Sequence, residues 1–295
     1  MRYLARYFWL APFLLLFGFS AQAMNPAAEA ELEAAYKDVE TAIQQGPVPI
    51  PLLDQAILKL PEGYGFVPNP AAARLMRALG NQADEGLLGL VMPLTDAQWM
   101  VVIEYEKAGY IKDDDAKEWN ADDMYKSMQE GTEAGNEDRR KSGIEEIELT
   151  GWVEKPSYDA ATHRLLWSIG VKNKGVADDS PGVNYNTLVL GREGYISMNM
   201  LTDKALIEGL KPIARDLLST LEFKSDKSYA AFNSSTDKVA EYGLAALITG
   251  VAAKKLGLLA VIAAFFAKFA KVLFLAGAGA VYGVKKWLGI KSKSD

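Results

Sequence analysis

The feature that most constrains this chain is a long apolar segment near its C-terminal end, residues 256–284. Of its 29 residues, 27 carry no charge, and the two exceptions are Lys268 and Lys271. A helix needs about 20 mostly apolar residues to cross the roughly 30 Å core of a bilayer. The segment is long enough to do so even when tilted, so we predict a transmembrane helix over residues 256–284.

A second membrane-targeting signal occupies residues 1–23. Arg2 and Arg6 form a basic start, an apolar stretch follows over residues 8–19, and residues 21–23 read Ala-Gln-Ala, a small–x–small cleavage pattern. We predict a cleaved signal peptide. An uncleaved signal anchor is the alternative, although the apolar stretch is short for a full span.

The basic residues that flank the apolar segment predict its orientation. Four lysines lie in the tail, residues 285–295, as the positive-inside rule expects of a cytoplasmic end. Lys254 and Lys255, on the other flank, weaken this argument without reversing it. Residues 239–255 are predicted to be a juxtamembrane helix that lies near the interface, because their apolar part is too short to span alone. A hairpin of two membrane helices remains the alternative.

The body between the two apolar ends is acidic and contains no cysteine. Residues 24–253 hold 22 basic and 37 acidic side chains, a net charge of −15. Such a field repels a phosphate backbone, so we expect no nucleic-acid partner. The lack of cysteine excludes disulfides, thiol catalysis and cysteine-bound metal, and the single histidine, His163, excludes multi-histidine zinc sites. We therefore expect no cofactor and no metal.

Hydrophobic periodicity predicts an α+β domain over residues 24–223. Helices are expected over residues 27–45, 121–140 and 203–220, with a short one after Asn69-Pro70. Strands are expected at residues 55–60, 64–67, 87–92, 99–106, 144–153, 163–173, 185–191, 195–201 and 221–223. The pattern indicates a mixed, largely antiparallel sheet with flanking helices. We interpret residues 224–238 as a polar linker to the membrane.

Three local predictions depend on proline. Residues 55–60 and 64–67 flank Pro61-Glu62-Gly63, which is typical of a β-hairpin. Residues 47–51 alternate proline with other residues and predict an extended connector, because each proline disfavours helix in the residue before it. Pro156 is expected to stop the strand at residues 144–153.

Several short strings in this chain resemble, in order and spacing, those of one protein family. They are residues 60–64 (Leu-Pro-Glu-Gly-Tyr), Trp99 with Glu104-Tyr105, residues 109–116, residues 136–139, Gly151-Trp152 with Pro156 and Tyr158-Asp159, and residues 184–187 with 190–192. Over about residues 30–290 the chain is similar to the bacterial membrane-anchored proteins grouped as the domain of unknown function 2167. The resemblance implies a single-pass protein of the bacterial inner membrane with its main domain in the periplasm. It implies no activity and no site residues.

Asp113, Asp114 and Asp115 form the most suggestive polar cluster. Adjacent carboxylates can help to bind a hard cation such as calcium or magnesium. Consecutive residues on an extended backbone point in opposite directions, however, and the alternating pattern of a calcium-binding loop is missing. Favourable electrostatics at a helix start are the simpler interpretation.

Glu104 and His163 are the other polar candidates. Glu104 shares a strand face with Glu106, and paired carboxylates can carry out acid–base hydrolysis when burial separates their pKa values. A solvated strand face is the simpler interpretation. His163 could activate a serine, but the sequence has no G-x-S-x-G motif to present one, so a histidine at a strand edge facing water is the simpler account.

Aromatic residues are numerous around the predicted sheet. They would either line a groove for a peptide, glycan or lipid or pack in the core, and core packing is the simpler interpretation. They are Trp99, Trp119, Trp152, Trp167, Tyr105, Tyr110, Tyr158 and Tyr185.

The predicted membrane helix carries two features that favour helix–helix contact. Lys268 and Lys271 are three residues apart and share one face, and a lysine in the bilayer core usually marks a partner or a water path. The alternative is that both lysines extend to the interface. Gly279 and Gly283 form a G-x-x-x-G pattern that permits close helix approach, including a homo-oligomer.

These observations favour a non-enzymatic binding or assembly module of the bacterial cell envelope. Its expected partners are the membrane and other inner-membrane or envelope proteins. Two alternatives stay open. One is an envelope hydrolase that uses carboxylates in an aromatic-lined cleft, and the other is an accessory subunit of a membrane transport or stress-response complex.

Overall fold

The computed structural model describes residues 26–249, apart from residues 80, 82, 84, 142–144 and 177–181. The predicted signal peptide, transmembrane helix and basic tail lie outside the described residues. Within the described residues, no helix is long and apolar enough to cross a membrane.

Runs of one to four strands lie between successive α-helices of the described chain. The helices are α1 (Pro26–Ala42), α2 (Ala71–Ala78), α3 (Ala121–Lys141), α4 (Ile207–Ser219) and α5 (Leu244–Thr249), with 3₁₀ helices at Asp114–Lys117 and Tyr229–Ala231. The strands are β1 (Gln44–Gln45), β2 (Val48–Leu52), β3 (Ala56–Leu60), β4 (Tyr64–Pro68), β5 (Leu87–Pro93), β6 (Met100–Glu106), β7 (Ile147–Asp159), β8 (Arg164–Asn173), β9 (Gly182–Leu190), β10 (Tyr195–Asp203) and β11 (Leu221–Phe223).

The described strands form two sheets. The larger has eight strands in the order β1-β4-β5-β6-β10-β9-β8-β7, and every pair in it is antiparallel. The smaller has three strands in the order β11-β3-β2 and is also antiparallel. The predicted α+β class, with a largely antiparallel sheet and flanking helices, is confirmed.

The two faces of the large sheet bury different elements. One face packs against the small sheet and α4, and its core includes Met198, Met200 and Tyr185. The opposite face is covered in two places. The α1–α2 lobe, formed by those two helices, covers β4, β5 and β6 with residues such as Leu75. The α3–α5 lobe, formed by α3, α5 and the two 3₁₀ helices, packs residues such as Met124 over β8 and β9.

The hairpin predicted from residues 55–60 and 64–67 is wrong. β3 pairs with β2 and β11 in the small sheet, whereas β4 pairs with β1 and β5 in the large sheet. Burial explains the separation. β3 alternates strictly between buried and exposed residues, as suits a sheet with one covered face. β4 buries Phe66 and Val67 on opposite faces, so it requires cover on both sides.

The two predictions made from proline also change. Residues 48–52 form strand β2, and Pro49 and Pro51 are exposed on this edge of the small sheet, where a missing N–H costs no ladder hydrogen bond. Pro156 does not end β7, which continues to Asp159. β7 is an edge strand of the large sheet, and its register shifts between Glu154 and Ser157, so the proline lies within an irregularity.

Residues 224–249 fold onto the domain. The segment that we interpreted as a linker, 224–238, is held by Arg192, whose guanidinium makes two hydrogen bonds of 2.7 and 2.8 Å to the carboxylate of Asp237. Of the predicted juxtamembrane helix, the described part contains α5, whose Leu244 and Ile248 are buried in the core of the α3–α5 lobe. The domain therefore includes the chain up to Thr249.

Candidate functional site

The loop after β6 is built around a glycine. Gly109 has a φ of +92°, and a Cβ at this position would lie 2.7 Å from the carbonyl oxygen of Lys238. The next residue, Tyr110, exchanges two backbone hydrogen bonds of 2.8 Å with the C-terminal segment, to Lys238 and Ala240. Only glycine fits this close approach without strain. The loop is thereby fixed, and it delivers Asp113 to the end of the β7–β8 hairpin.

Asp113, Tyr158 and His163 meet at that hairpin. The Tyr158 hydroxyl donates a hydrogen bond of 2.7 Å to Oδ2 of Asp113, and it lies 3.1 Å from Nδ1 of His163. The His163 Nδ1 is 3.8 Å from Asp113 Oδ2. His163 has a φ of +53°, a left-handed conformation that is uncommon outside glycine. The three side chains are part-buried and form one polar site, hereafter the Asp–Tyr–His site.

The hydrogen-bond network assigns the tautomer of His163. The O–H of Tyr158 is used in the hydrogen bond that it donates to Asp113. The phenol oxygen is therefore left as an acceptor for the Nδ1–H of the imidazole. In the neutral ring, Nε2 then carries the lone pair. That nitrogen can accept a proton or a hydrogen bond from a ligand.

Aromatic rings extend the site into the α3–α5 lobe. The ring of His163 lies 4.1 Å from that of Tyr229, which stacks on Tyr110 at 4.4 Å, and Tyr110 stacks on Phe232 at 3.8 Å. The Tyr229 hydroxyl donates to the carbonyl of Ile111 at 2.8 Å. The stack joins the β6 loop, the β7–β8 hairpin and the C-terminal segment.

Burial keeps the phenols of this site protonated. The pKa of Tyr158 is raised well above its ordinary value, first by burial and then by its hydrogen bond to the Asp113 carboxylate. The pKa of Tyr229 is raised in the same direction, also chiefly by burial. Neither hydroxyl is therefore a nucleophile near neutral pH, and both act as hydrogen-bond donors.

The other two aspartates of the cluster point elsewhere. The Asp115 carboxylate accepts hydrogen bonds from the backbone N–H groups of Leu244 and Ala245, at 3.2 and 2.9 Å, at the start of α5. Asp114 begins the 3₁₀ helix and is exposed. The structure thus brings only Asp113 of the three to the Asp–Tyr–His site. Among the described residues, no group of three or more His, Cys, Asp or Glu side chains is placed to hold a metal ion.

Glu104 is not part of the Asp–Tyr–His site. It pairs across strands with Ser197 of β10, whose partner on β9 is Leu188, which in turn pairs with Leu165 of β8. Three strand spacings of about 4.8 Å separate β6 from β8. Of the carboxylate candidates, Asp113 therefore meets His163, whereas Glu104 does not.

A cavity opens beside the Asp–Tyr–His site, where α3, α5 and the first 3₁₀ helix meet. Its volume is about 300 Å³. Trp119 lines it and also contacts Tyr158, with ring centroids 6.4 Å apart. The Trp119 Nε1 atom is buried and has no hydrogen-bond partner among the described residues. The cavity is lined by Asp115, Glu118, Trp119, Asn120, Asp123, Met124, Ser127, Ala245 and Thr249.

The aromatic residues singled out in the sequence divide between core and site. Trp99, Trp167 and Tyr185 are buried in the core, as the simpler interpretation predicts. Tyr110, Trp119, Trp152 and Tyr158 are only partly buried and pack around the α3–α5 lobe. Sequence reasoning missed Tyr229 and Phe232, because both lie in the segment interpreted as a linker. Lys268, Lys271, Gly279 and Gly283, proposed for helix contact, lie outside the described residues.

Comparisons with known proteins place the chain in a family without an assigned activity. No curated protein matches it. Among solved structures, a similar one is the solution structure of cyanobacterial PsbP (CyanoP) from Synechocystis sp. PCC 6803, with 11% sequence identity, covering 62% of this chain and 93% of that chain, at a TM-score of 0.37. A likeness at that level indicates nothing about ligand or activity. The sequence profile described as protein of unknown function (DUF2167) matches residues 43–278, and the chain belongs to that family.

Proposed function

We propose that this protein is an exported, membrane-anchored binding module of the bacterial cell envelope that engages a partner at the cavity between α3 and α5. One observation carries the proposal. Thr249, the last described residue, lines the cavity, and the apolar segment predicted to cross the membrane begins seven residues later, at Leu256. Seven residues span at most about 24 Å when extended and about 10 Å when helical. The cavity therefore lies within that reach of the predicted membrane.

The chemistry of the cavity indicates the kind of partner. Three carboxylates, those of Asp115, Glu118 and Asp123, line it, and none of the described residues that line it is basic. Trp119 offers an aromatic face, which attracts cations as well as apolar groups. A basic segment of another envelope protein is the partner that this lining suits best.

A pull-down tests the binding proposal. The tagged full-length chain, purified in mild detergent, would be compared by mass spectrometry with the double variant Glu118→Lys, Asp123→Lys. Its matched control is Glu29→Lys, Glu40→Lys, which reverses two exposed charges on α1. We expect partners to be captured by the wild type and the control and lost from the cavity variant. Equal capture by all three, or capture by none, would contradict the proposal.

The membrane part has its own test. The chain should remain with membranes during alkaline extraction, and a chain ending after Gly250 should be released in soluble form from the periplasm. A cut after Lys238 would be unsuitable, because it removes Leu244 and Ile248 from the core. Release of the full-length chain by alkali would contradict membrane anchoring.

A second candidate function is an envelope hydrolase, and the Asp–Tyr–His site is the observation that favours it. Asp113 and His163 are joined through Tyr158, with the imidazole Nε2 left as the base. Purified protein incubated with cell-wall sacculi or fluorogenic esters should show turnover that Asp113→Asn and His163→Gln both reduce. Absence of turnover in the wild type would leave the binding module as the function.

A further inference from the structure

Tyr158 contacts both an aromatic ring that lines the α3–α5 cavity and a carboxylate that can take its proton. The ring is that of Trp119, whose centroid lies 6.4 Å from that of Tyr158. The carboxylate is that of Asp113, whose Oδ2 accepts the hydrogen bond of the Tyr158 hydroxyl at 2.7 Å. A tyrosine with these two neighbours can give an electron to the tryptophan and its phenolic proton to the aspartate.

Asp113 is well placed as the proton acceptor. Within the described part of the chain its carboxylate has no Lys or Arg partner, so no salt bridge of that kind has to break when it accepts a proton. The phenol oxygen of Tyr158 also keeps the hydrogen bond from Nδ1–H of His163, at 3.1 Å. A donor held in this position stabilises the oxygen once its own proton has left.

The indole of Trp119 has no proton acceptor of its own. Its Nε1 atom is buried and makes no hydrogen bond to any residue that the structure describes. Trp152, by contrast, donates from Nε1 to the carbonyl of Ala121 at 3.1 Å. An oxidised indole that keeps its N–H proton is a stronger oxidant than one that has lost it. Trp119 is therefore suited to draw an electron from Tyr158 rather than to retain the oxidised state.

Two other tyrosines show why the hydroxyl partner matters. The Tyr125 hydroxyl donates to the backbone carbonyl of Leu149, which is too weak a base to take a phenolic proton. Tyr185 donates to the carboxylate of Glu154, but Arg215 binds that carboxylate as well, so its protonation would break an ion pair. Neither tyrosine combines a ring contact to a cavity-lining tryptophan with an available carboxylate.

We propose that Tyr158 is a redox-active tyrosine, which gives one electron to Trp119 after a radical oxidant has reached that residue through the cavity. The oxidant is a small alkoxyl radical, whose lack of charge suits an acidic cavity of about 300 Å³. It takes one electron from the indole and one proton from water, and it leaves as an alcohol and hydroxide. One electron then passes from Tyr158 to the indole, while the phenolic O–H bond breaks and its proton binds Asp113. The product is a neutral phenoxyl radical beside a neutral carboxyl group.

This inference does not depend on membrane anchoring or on the partner proposed for the cavity. The experiment uses the purified full-length chain and flash-generated ruthenium(III) tris(bipyridine), a one-electron oxidant whose positive charge is attracted to the acidic lining. Transient absorption and electron paramagnetic resonance report the indole and phenoxyl radicals. We expect a phenoxyl radical in the wild type and the loss of most of its signal in Tyr158→Phe. Asp113→Asn should slow its formation about a hundredfold, a usual contribution of a positioned proton acceptor, and should prolong the indole radical.

Tyr125→Phe is the matched control, because Tyr125 also lies beside a tryptophan, with 5.9 Å between its ring centroid and that of Trp152. It should give the wild-type phenoxyl signal. If Tyr158→Phe fails to fold, Trp119→Phe tests the entry point and should lower the yield of phenoxyl radical. No phenoxyl radical in the wild type, or equal yields in the wild type and Tyr158→Phe, would overturn the proposal. An unchanged rate of radical formation in Asp113→Asn would do so as well.

Discussion

The two lobes cover neighbouring parts of one sheet face with different chemistry. In the α1–α2 lobe the buried residues are almost all Ala, Leu, Met and Val, and polar contacts lie at its surface, where Arg74 bonds Glu31 and Asp38. In the α3–α5 lobe the buried contacts are directional. Asn136 holds the start of β7, Asp115 caps α5, and Tyr158 joins Asp113 to His163. The first lobe can be explained by apolar burial, whereas the second also depends on specific hydrogen bonds.

The largest effect should come from the α1–α2 lobe. Leu75 is fully buried, and Leu75→Ala leaves a cavity, so we expect the free energy of unfolding to fall by about 2–5 kcal/mol. Denaturant unfolding of the purified chain measures this. Leu75→Met, which conserves volume, should cost less than about 1.5 kcal/mol. Equal losses for the two variants would show that this lobe does not depend on packing.

Asn136→Ala tests the directional contacts of the other lobe. The amide of Asn136 accepts from the Ile147 N–H at 3.0 Å and donates to its carbonyl at 2.8 Å, so the change leaves two buried backbone groups unpaired. We expect a loss of about 2–3 kcal/mol and faster hydrogen exchange at the Ile147 amide. Asn120→Ala removes a cap at the other end of α3 and serves as control. It should leave exchange at Ile147 unchanged.

Tyr158→Phe addresses the Asp–Tyr–His site with a smaller change. Removal of the hydroxyl breaks its bonds to Asp113 and His163, for an expected loss of about 1–2 kcal/mol. The specific readout is the NMR chemical shifts of the two ring nitrogens of His163. They should move away from the values typical of the tautomer protonated at Nδ1. Tyr125→Phe, which loses one bond to the carbonyl of Leu149, is the matched control. An unchanged His163 spectrum in Tyr158→Phe would contradict the assigned tautomer.

The smallest effect should come from the exposed ion pair of the α1–α2 lobe. The hydrogen bond from Arg74 lowers the pKa of Glu31 below its ordinary value, so the pair stabilises the fold above that ordinary pKa and loses its effect as the pH falls through the depressed pKa. Glu31→Gln should hardly change the free energy of unfolding at pH 7. It should slightly reduce the dependence of that free energy on pH in the acid range. Because the pair is exposed, added salt should shrink the difference. A large difference in stability between wild type and Glu31→Gln at high salt would contradict the view that the α1–α2 lobe is held by apolar burial.

Elements with strong periodicity were predictable from the sequence. The α3 prediction, residues 121–140, matches Ala121–Lys141, and residues 195–201 fall within β10. The pairing of strands was harder to predict from the sequence. Residues 55–60 and 64–67 form strands as expected, yet they join different sheets. A turn motif between two strands predicts that they pair as a hairpin. Whether each strand needs cover on one face or on both decides which sheet it joins.

The site was only partly predictable. Asp113 and His163 were candidates by residue type, but their meeting depends on the closure of a loop against a segment more than 100 residues later, which periodicity does not encode. The sequence predicts favourable electrostatics at a helix start for the aspartate cluster, and Asp115 does cap a helix, although that helix is α5, about 130 residues later in the chain.

The inclusion of residues 224–249 in the fold has a consequence for biogenesis. Among the described elements, α5 is the last to be synthesised. Until that stretch has emerged, the partners of Tyr229, Leu244 and Ile248 in the α3–α5 lobe remain uncovered. The α3–α5 lobe is therefore completed only after synthesis of the chain has passed Ile248. The Asp–Tyr–His site gains the aromatic contact of His163 with Tyr229 only once this late segment has folded against it.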